Sequence, residues 1–287
     1  MTNGLSINAE KKLLLFDGHA LAFHSWFTSY PNEVMPGFFR MVGRAIERHD
    51  PTHLIVTFDP PPPTFRHKLY PDYKANRPPV PEGLLEDCDR VRERLKSLDV
   101  VFCTVQGYEA DDVLGTLSTR ASVSGFQTMI LTSDLDLLQL VSPITEVEVF
   151  SQYWAKRSFD VEAAKRRFGG LAPENIPDYK ALAGDTSDNL PGVPGIGAVA
   201  ATAVLGEYGN LDKVYENLEA ISKLPIRGAK RVSRLLAEHR EQAFLMRTLT
   251  TIVCDVPVDL DLDGTMIEKT GLEVVEAKPW LAGNLDA

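Results

Sequence analysis

Nine acidic residues of this 287-residue chain stand where carboxylates gather around metal ions. Three follow short apolar runs: Asp17 after residues 13–16, Asp59 after 54–58, and Asp134 after 128–133, with Asp136 two residues on. Glu109, Asp111 and Asp112 fall within four residues, just ahead of Val113, Leu114 and Leu117. Asp185 and Asp188 flank Thr186-Ser187 and share a face if that turn is helical. A single Asp often ends a strand, and an acidic helix start is ordinary capping. Three acids in four residues exceed what capping needs. Two carboxylates about 4 Å apart repel by roughly 4 kcal/mol at an effective dielectric of about 20. Nine gathered together protonate or splay unless cations fill the cluster. An all-oxygen ligand set selects hard ions, Mg²⁺ or Mn²⁺ in place of zinc. A pair of such ions roughly 4 Å apart suits in-line attack of water on a phosphodiester. The residues predict a site for two or more divalent ions.

Such a cluster needs a scaffold that brings distant carboxylates together. The three apolar runs are short enough for buried strands, and helical patterns lie between them. One is 84–98, with Leu85, Val91, Leu95 and Leu98 loosely on one face. Strands alternating with helices predict an α/β fold with a parallel sheet covered on both sides. Ligands of such sheets sit outside the carboxyl ends of the strands, so the strand-ending aspartates converge there. A hydrophobic content of 44% with 24% charge fits a folded globular chain. No apolar run approaches the roughly 20 residues of a membrane helix, so no membrane role is expected. Residues 1–12 lack the pattern of a signal peptide. Cys88, Cys103 and Cys254 are odd in number and widely spaced, which reads as reduced thiols of a cytoplasmic protein. The net charge of −10 argues at first sight against nucleic acid. Two divalent ions raise it to −6, and the acids are concentrated at the metal positions, so bulk charge does not decide.

Basic residues group elsewhere. The proline-rich stretch 60–81 is unsuited to one continuous helix, yet it carries Arg66, His67, Lys68, Lys74 and Arg77 among Phe65, Tyr70 and Tyr73. That mixture suits single-stranded nucleic acid, with stacking worth about 1–3 kcal/mol per base; a solvated loop is the plainer alternative. Gly192, Gly195 and Gly197 precede the apolar stretch 198–205. Glycines at a helix start let backbone amides approach a phosphate, although many such turns are only turns. No Lys-Ser/Thr follows, so this is not a P-loop.

In order along the chain, Phe16-Asp17-Gly18, Phe58-Asp59, Thr64-Phe65-Arg66 with Tyr73-Lys74-Ala75-Asn76-Arg77, Gly107-Tyr108-Glu109-Ala110-Asp111-Asp112, Thr132-Ser133-Asp134-Leu135-Asp136, and Gly184-Asp185-Thr186-Ser187-Asp188-Asn189 with Leu190-Pro191-Gly192-Val193-Pro194-Gly195-Ile196-Gly197 resemble the motifs of the 5′-nucleases. These include the 5′→3′ exonuclease domain of bacterial DNA polymerase I, phage 5′-exonucleases and flap endonucleases. The resemblance runs from about residue 13 to about 260. It implies a PIN-like, doubly wound α/β core over 1–175, with an arch region at about 60–100. A helix–three-turn–helix DNA-binding module and a C-terminal tail follow over 176–287. It implies a first metal on Asp17, Asp59, Glu109 and Asp111, and a second on Asp111, Asp134, Asp136 and Asp185. Asp112 and Asp188 take outer or water-mediated positions. By the same resemblance Lys74 and Arg77 meet the scissile phosphate, while Arg66 and Lys180 match basic positions near the DNA. Gly192, Gly195 and Gly197 grip the duplex backbone, often around K⁺, and the second basic turn 227–231 includes Lys230. The implied reaction is 5′→3′ exonuclease and 5′-flap endonuclease cleavage of DNA at flaps, nicks, gaps or RNA–DNA primers, leaving a 5′-phosphate and a 3′-hydroxyl.

Two departures stand out. Ala198, Val199 and Ala200 replace the family's acid, lysine and threonine, which predicts weaker duplex affinity. His24 stands where an arginine is usual. With a free pKa of about 6.5, histidine there predicts DNA affinity that rises toward pH 6. Trp26, Phe38 and Phe39 read as packing residues, 231–247 as one amphipathic helix, and the tail 264–287 has no strong pattern. The expected protein is a stand-alone, monomeric, nucleoid-associated nuclease that works with replication or repair proteins. A catalytically silent branched-DNA-binding protein of the same fold is the alternative.

Overall fold

The computed structural model describes residues 11–29, 32–150 and 157–267. The first ten residues and the tail from 268 onward, whose sequence shows no strong pattern, lie outside the described residues. The strands are β1 (Lys12–Asp17), β2 (His53–Thr57), β3 (Val101–Cys103), β4 (Gln127–Thr132), β5 (Thr145–Val149) and β6 (Arg157–Phe159). The helices are α1 (Gly18–Thr28), α2 (Met35–His49), α3 (Phe65–Leu69), α4 (Leu84–Ser97), α5 (Ala110–Val123), α6 (Val161–Arg167), α7 (Ile176–Ala183), α8 (Ala198–Tyr208), α9 (Leu211–Glu216), α10 (Leu218–Ile221), α11 (Ala229–Glu238) and α12 (Arg240–Thr250).

The strands form one sheet in the order β3-β2-β1-β4-β5-β6, parallel throughout except for β6, which runs antiparallel to β5. Alternation along β1 separates two cores. Leu13 and Leu15 join Ile55, Ile130 and Leu117 on one face; Leu14 and Phe16 join Leu54, Val56 and Phe38 on the other. Two covered faces explain why the central strands read as unbroken apolar runs. Chain order reverses between β1 and β4, so the crevice for a ligand opens at their carboxyl ends.

Local details depart from the sequence expectations. On α4 the buried stripe is Leu84, Cys88, Val91 and Leu95, whereas Leu85 is 55% exposed and Leu98 only partly buried. Spacings of four, three and four keep the stripe on one face, and Leu85 lies off it. Residues 231–247 are not one helix, because the chain breaks at His239, which ends α11 and begins α12. The turn at 185–188 is not helical either. Asp185 and Leu190 exchange backbone hydrogen bonds of 2.7 Å each way, closing a tight loop with Asn189 at φ +58°. Residues 252–256 lie along α5, where Ile252 sits so close to Gly115 that a Cβ there meets it at 2.6 Å.

Candidate metal centre

β1 runs straight into α1, with Asp17 as the cap. Its Oδ1 accepts from Ala20 N at 3.0 Å, and its Oδ2 accepts from the Thr132 hydroxyl at 2.9 Å. The tight entry depends on Gly18, where a Cβ lies 2.7 Å from the Thr57 carbonyl oxygen. Asp134 caps the 3₁₀ turn Leu135–Leu140 in the same way, accepting from Asp136 N at 2.8 Å. Capping and site formation therefore coincide in both residues. Asp59 follows β2, and its Oδ1 accepts from Ala110 N at the start of α5 at 2.7 Å. Glu109 and Asp111 stand at that same helix start. Asp17, Asp59, Glu109, Asp111 and Asp134 line one cleft of about 820 Å³, together with His19, Phe23, His67, Lys74, Arg77 and Arg92.

The electrostatics follow from burial and crowding. Burial, and then the neighbouring Asp59, push the Asp17 carboxyl up to about 7. Asp111 is raised well above the usual carboxylate range by burial and by Asp134 and Asp17. Asp134 is raised by burial, which outweighs the opposing pull of Lys180. Buried carboxyls crowded into one cleft, where each opposes the charge of the next, fit a site that cations would complete. The donors are all oxygen, which fits Mg²⁺ or Mn²⁺.

A second group adjoins the first. Asp136, Asp185 and Asp188 bring carboxylate oxygens within 4.8 Å of one another. Lys180 from α7 contacts Asp136 and reaches Asp185 at 2.6 Å. Burial raises the Asp185 carboxyl, but Lys180 and the two Ser187 donors prevail and hold it below its ordinary value. Arg77 donates to Asp188 at 2.7 Å, and Lys74 donates to Glu109 at 3.0 Å. The basic stretch is fastened to the 185–189 loop through Asn76 to the Thr186 carbonyl (2.8 Å), Asn189 to the Asp72 carbonyl (2.7 Å) and Lys74 N to the Asp188 carbonyl (3.0 Å).

Three expectations need correction. Asp112, wholly buried, faces away from the cleft and accepts from both Arg66 Nη atoms at 2.7 Å, from Val253 N at 2.9 Å and from Glu109 N at 3.0 Å. It has no oxygen to offer a metal in the cleft. Arg66, 3% exposed, also donates to the carbonyls of Leu249 (2.8 Å) and Thr251 (2.9 Å) and lies 3.5 Å from Glu109, so it clamps α3, α5 and the end of α12 and is withdrawn from the surface. Tyr73 is buried, its hydroxyl shared between Glu109 at 2.8 Å and Asp188 at 3.0 Å, and is not free to stack on a base. Lys180 is engaged in its two ion pairs, with a side chain only 12% exposed.

The glycines divide. Gly192 (φ +63°) packs on Gly184, where a Cβ lies 2.3 Å from the Gly184 nitrogen. At Gly195 (φ +82°) the Arg231 guanidinium lies 2.7 Å from the Cβ position, joining this turn to the basic face of α11. Gly197 caps α8 in open space, and Lys230 is exposed in the first turn of α11. His24 stands edge-on to Phe150 at 5.2 Å. Sequence reasoning missed His19, which accepts from Asp59 N at 2.8 Å. Its one sequence signal is its place two residues after a strand-ending aspartate.

This ordered geometry has counterparts. The N-terminal resolvase-like domain of the 5′-3′ exonucleases matches residues 12–169, and their C-terminal SAM fold matches 171–272. The chain belongs to the 5′-3′ exonuclease family. DNA polymerase I of Chloroflexus aurantiacus is 39% identical over 268 residues, covering 89% of this chain and 28% of the polymerase. The chain thus spans less than a third of the length of the curated relatives it matches. The T5 D15 protein co-crystallised with metal ions superposes with a TM-score of 0.70 at 21% identity, covering 85% of this chain and 90% of that one. The bacteriophage T5 D15 flap endonuclease in a complex with DNA and metal ions gives 0.68 at 21% identity over the same shares. These likenesses establish the fold, a mostly parallel α/β core followed by a helical domain.

Proposed function

We propose that the chain is a divalent-metal-dependent 5′→3′ exonuclease and flap endonuclease acting on DNA. Its substrates are 5′ flaps, nicked or gapped duplex and RNA–DNA primers. The observation that carries this reading is one cleft lined by Asp17, Asp59, Glu109, Asp111 and Asp134, with Lys74 and Arg77 on the same walls. The first ion falls to Asp17, Asp59, Glu109 and Asp111. The second falls to Asp111, Asp134, Asp136 and Asp185, with Asp188 as an outer partner, and Asp112 leaves both sets. Bound Mg²⁺ or Mn²⁺ supplies an activated water and stabilises charge on the phosphoryl and leaving oxygens.

The remaining work belongs to the chain's own groups. Burial opposes the charge on Lys74, but Glu109 and Asp188 outweigh it and raise its pKa. A protonated Lys74 and Arg77 exchange Glu109 and Asp188 for the oxygens of an entering phosphate. The backbone amides at Gly195 and Gly197, with Lys230 and Arg231 alongside, hold the duplex backbone without reading sequence, and a K⁺ ion fits this role. The same reading assigns 1–175 to catalysis and 176–287 to duplex binding. It describes a cytoplasmic, nucleoid-associated monomer serving replication or repair.

The test is cleavage of a 5′-labelled flap duplex by the purified chain with Mg²⁺, Mn²⁺ or EDTA. Release of the flap near the junction only with metal is the expected result. Binding without cleavage under every metal supports a catalytically silent branched-DNA-binding protein.

A further inference from the structure

Asp59 lies beyond the sheet. The last ladder bond on its strand is Phe58 N to the Cys103 carbonyl at 3.0 Å. The next amide, that of Asp59, donates to the imidazole of His19 at 2.8 Å. His19 reaches it because α1 begins directly after Asp17 and lies across the end of β2, with the ring edge-on to Phe58 at 5.6 Å and 81°. A backbone amide can only donate, so His19 Nδ1 accepts and the ring proton sits on Nε2. The side chain is 16% exposed and lines the cleft. Asp59 is held at its amide by His19 and at its Oδ1 by Ala110 N, and its Oδ2 lies 3.4 Å from the same His19 Nδ1.

We propose that His19 is a positioning residue that fixes Asp59 for metal binding by accepting its backbone N–H through Nδ1. The inference rests on the reading of Asp59 as a ligand given above. Without the acceptor, the amide turns toward water and Asp59 keeps only the Ala110 N hydrogen bond to fix its carboxylate. Outer partners that orient metal ligands are worth about 10- to 100-fold in metal affinity.

Two near-isosteric variants separate this role from packing. In His19→Asn the amide oxygen takes the position of Nδ1, whereas in His19→Gln it extends to the position of Nε2 and leaves the Asp59 amide without a partner. Mn²⁺ binding is measured by calorimetric titration of the full chain without DNA. Single-turnover cleavage against Mn²⁺ concentration gives a second readout. The expected result is Mn²⁺ affinity weakened by about tenfold or more in His19→Gln and near wild type in His19→Asn. Cleavage by His19→Gln recovers at saturating Mn²⁺. Equal affinity in wild type and His19→Gln, or equal losses in both variants, overturns the positioning role while leaving the nuclease reading intact. Absence of Mn²⁺ binding by the wild-type chain overturns both.

Discussion

Replacing Arg66 with methionine separates a structural clamp from a DNA contact. The substitution keeps most of the apolar stem and removes the guanidinium. Asp112, with no exposed surface, then retains only the amides of Val253 and Glu109 for its charge. The carbonyls of Leu249 and Thr251 lose their donor as well. Removing one partner of a buried ion pair costs about 3–5 kcal/mol, chiefly the penalty of the stranded charge. Each kcal/mol lowers the melting midpoint of a chain near this size by roughly 2–4 °C, so a fall of roughly 6–20 °C is expected. Scanning calorimetry and urea titration measure the loss, and fluorescence anisotropy on flap DNA, well below the midpoint, measures binding. The variant should bind DNA as wild type does. The double variant Arg66→Met/Asp112→Leu should regain much of the loss, because an apolar pair removes the stranded charge. A stability change under about 1 kcal/mol with DNA affinity reduced more than about tenfold refutes the clamp and returns Arg66 to the DNA surface.

Asp134→Ala should lower cleavage more than about a hundredfold, beyond the usual cost of an outer metal partner, while gel shifts still show flap binding; full retained cleavage removes Asp134 from the centre. A carboxyl whose folded pKa is raised favours the fold below its unfolded value, and that contribution is lost as pH rises through the folded value, here from 3.8 to about 7 for Asp17. In EDTA the melting midpoint should therefore fall between pH 5 and pH 8, with a shallower slope in Asp17→Asn. Mg²⁺ should raise the midpoint more at pH 8 than at pH 5, and scanning fluorimetry reads all three. Gly192→Ala forces a side chain into φ +63° against Gly184, costing about 1–3 kcal/mol from backbone strain alone, whereas Gly197→Ala should melt close to wild type. Duplex affinity of the wild type should rise from pH 8 to pH 6; an equal rise in His24→Ala removes His24 as the cause.

The scaffold was legible because β1, β2 and β4 are buried on both faces and each leads into a carboxylate, and in Asp17 and Asp134 the cap and cleft positions coincide. β3 is three residues long, and Thr145–Val149 alternates polar with apolar near the sheet edge, so neither announced itself as a buried strand. The break at His239 carries no glycine or proline to mark it. The roles of Asp112 and Arg66 were illegible for another reason. Both lie within motifs rich in functional side chains, and only the docking of α3 beside α5 turns them toward each other. His19 was overlooked because its partner is a backbone amide 40 positions away, which leaves no trace in residue type.

The Arg66 clamp also bears on the order in which the chain assembles. It joins residue 66 to Asp112, 46 positions on, and to carbonyls 183 and 185 positions on. Contacts of such long separation form late, after the cost of closing the intervening loop has been met. During synthesis the guanidinium and the carboxylate can find each other early, but the two carbonyls that complete their cage arrive only with the end of α12. A nascent chain that has not yet reached Thr251 thus leaves the buried Arg66–Asp112 pair with its cage incomplete, and the clamp closes only as α12 is finished.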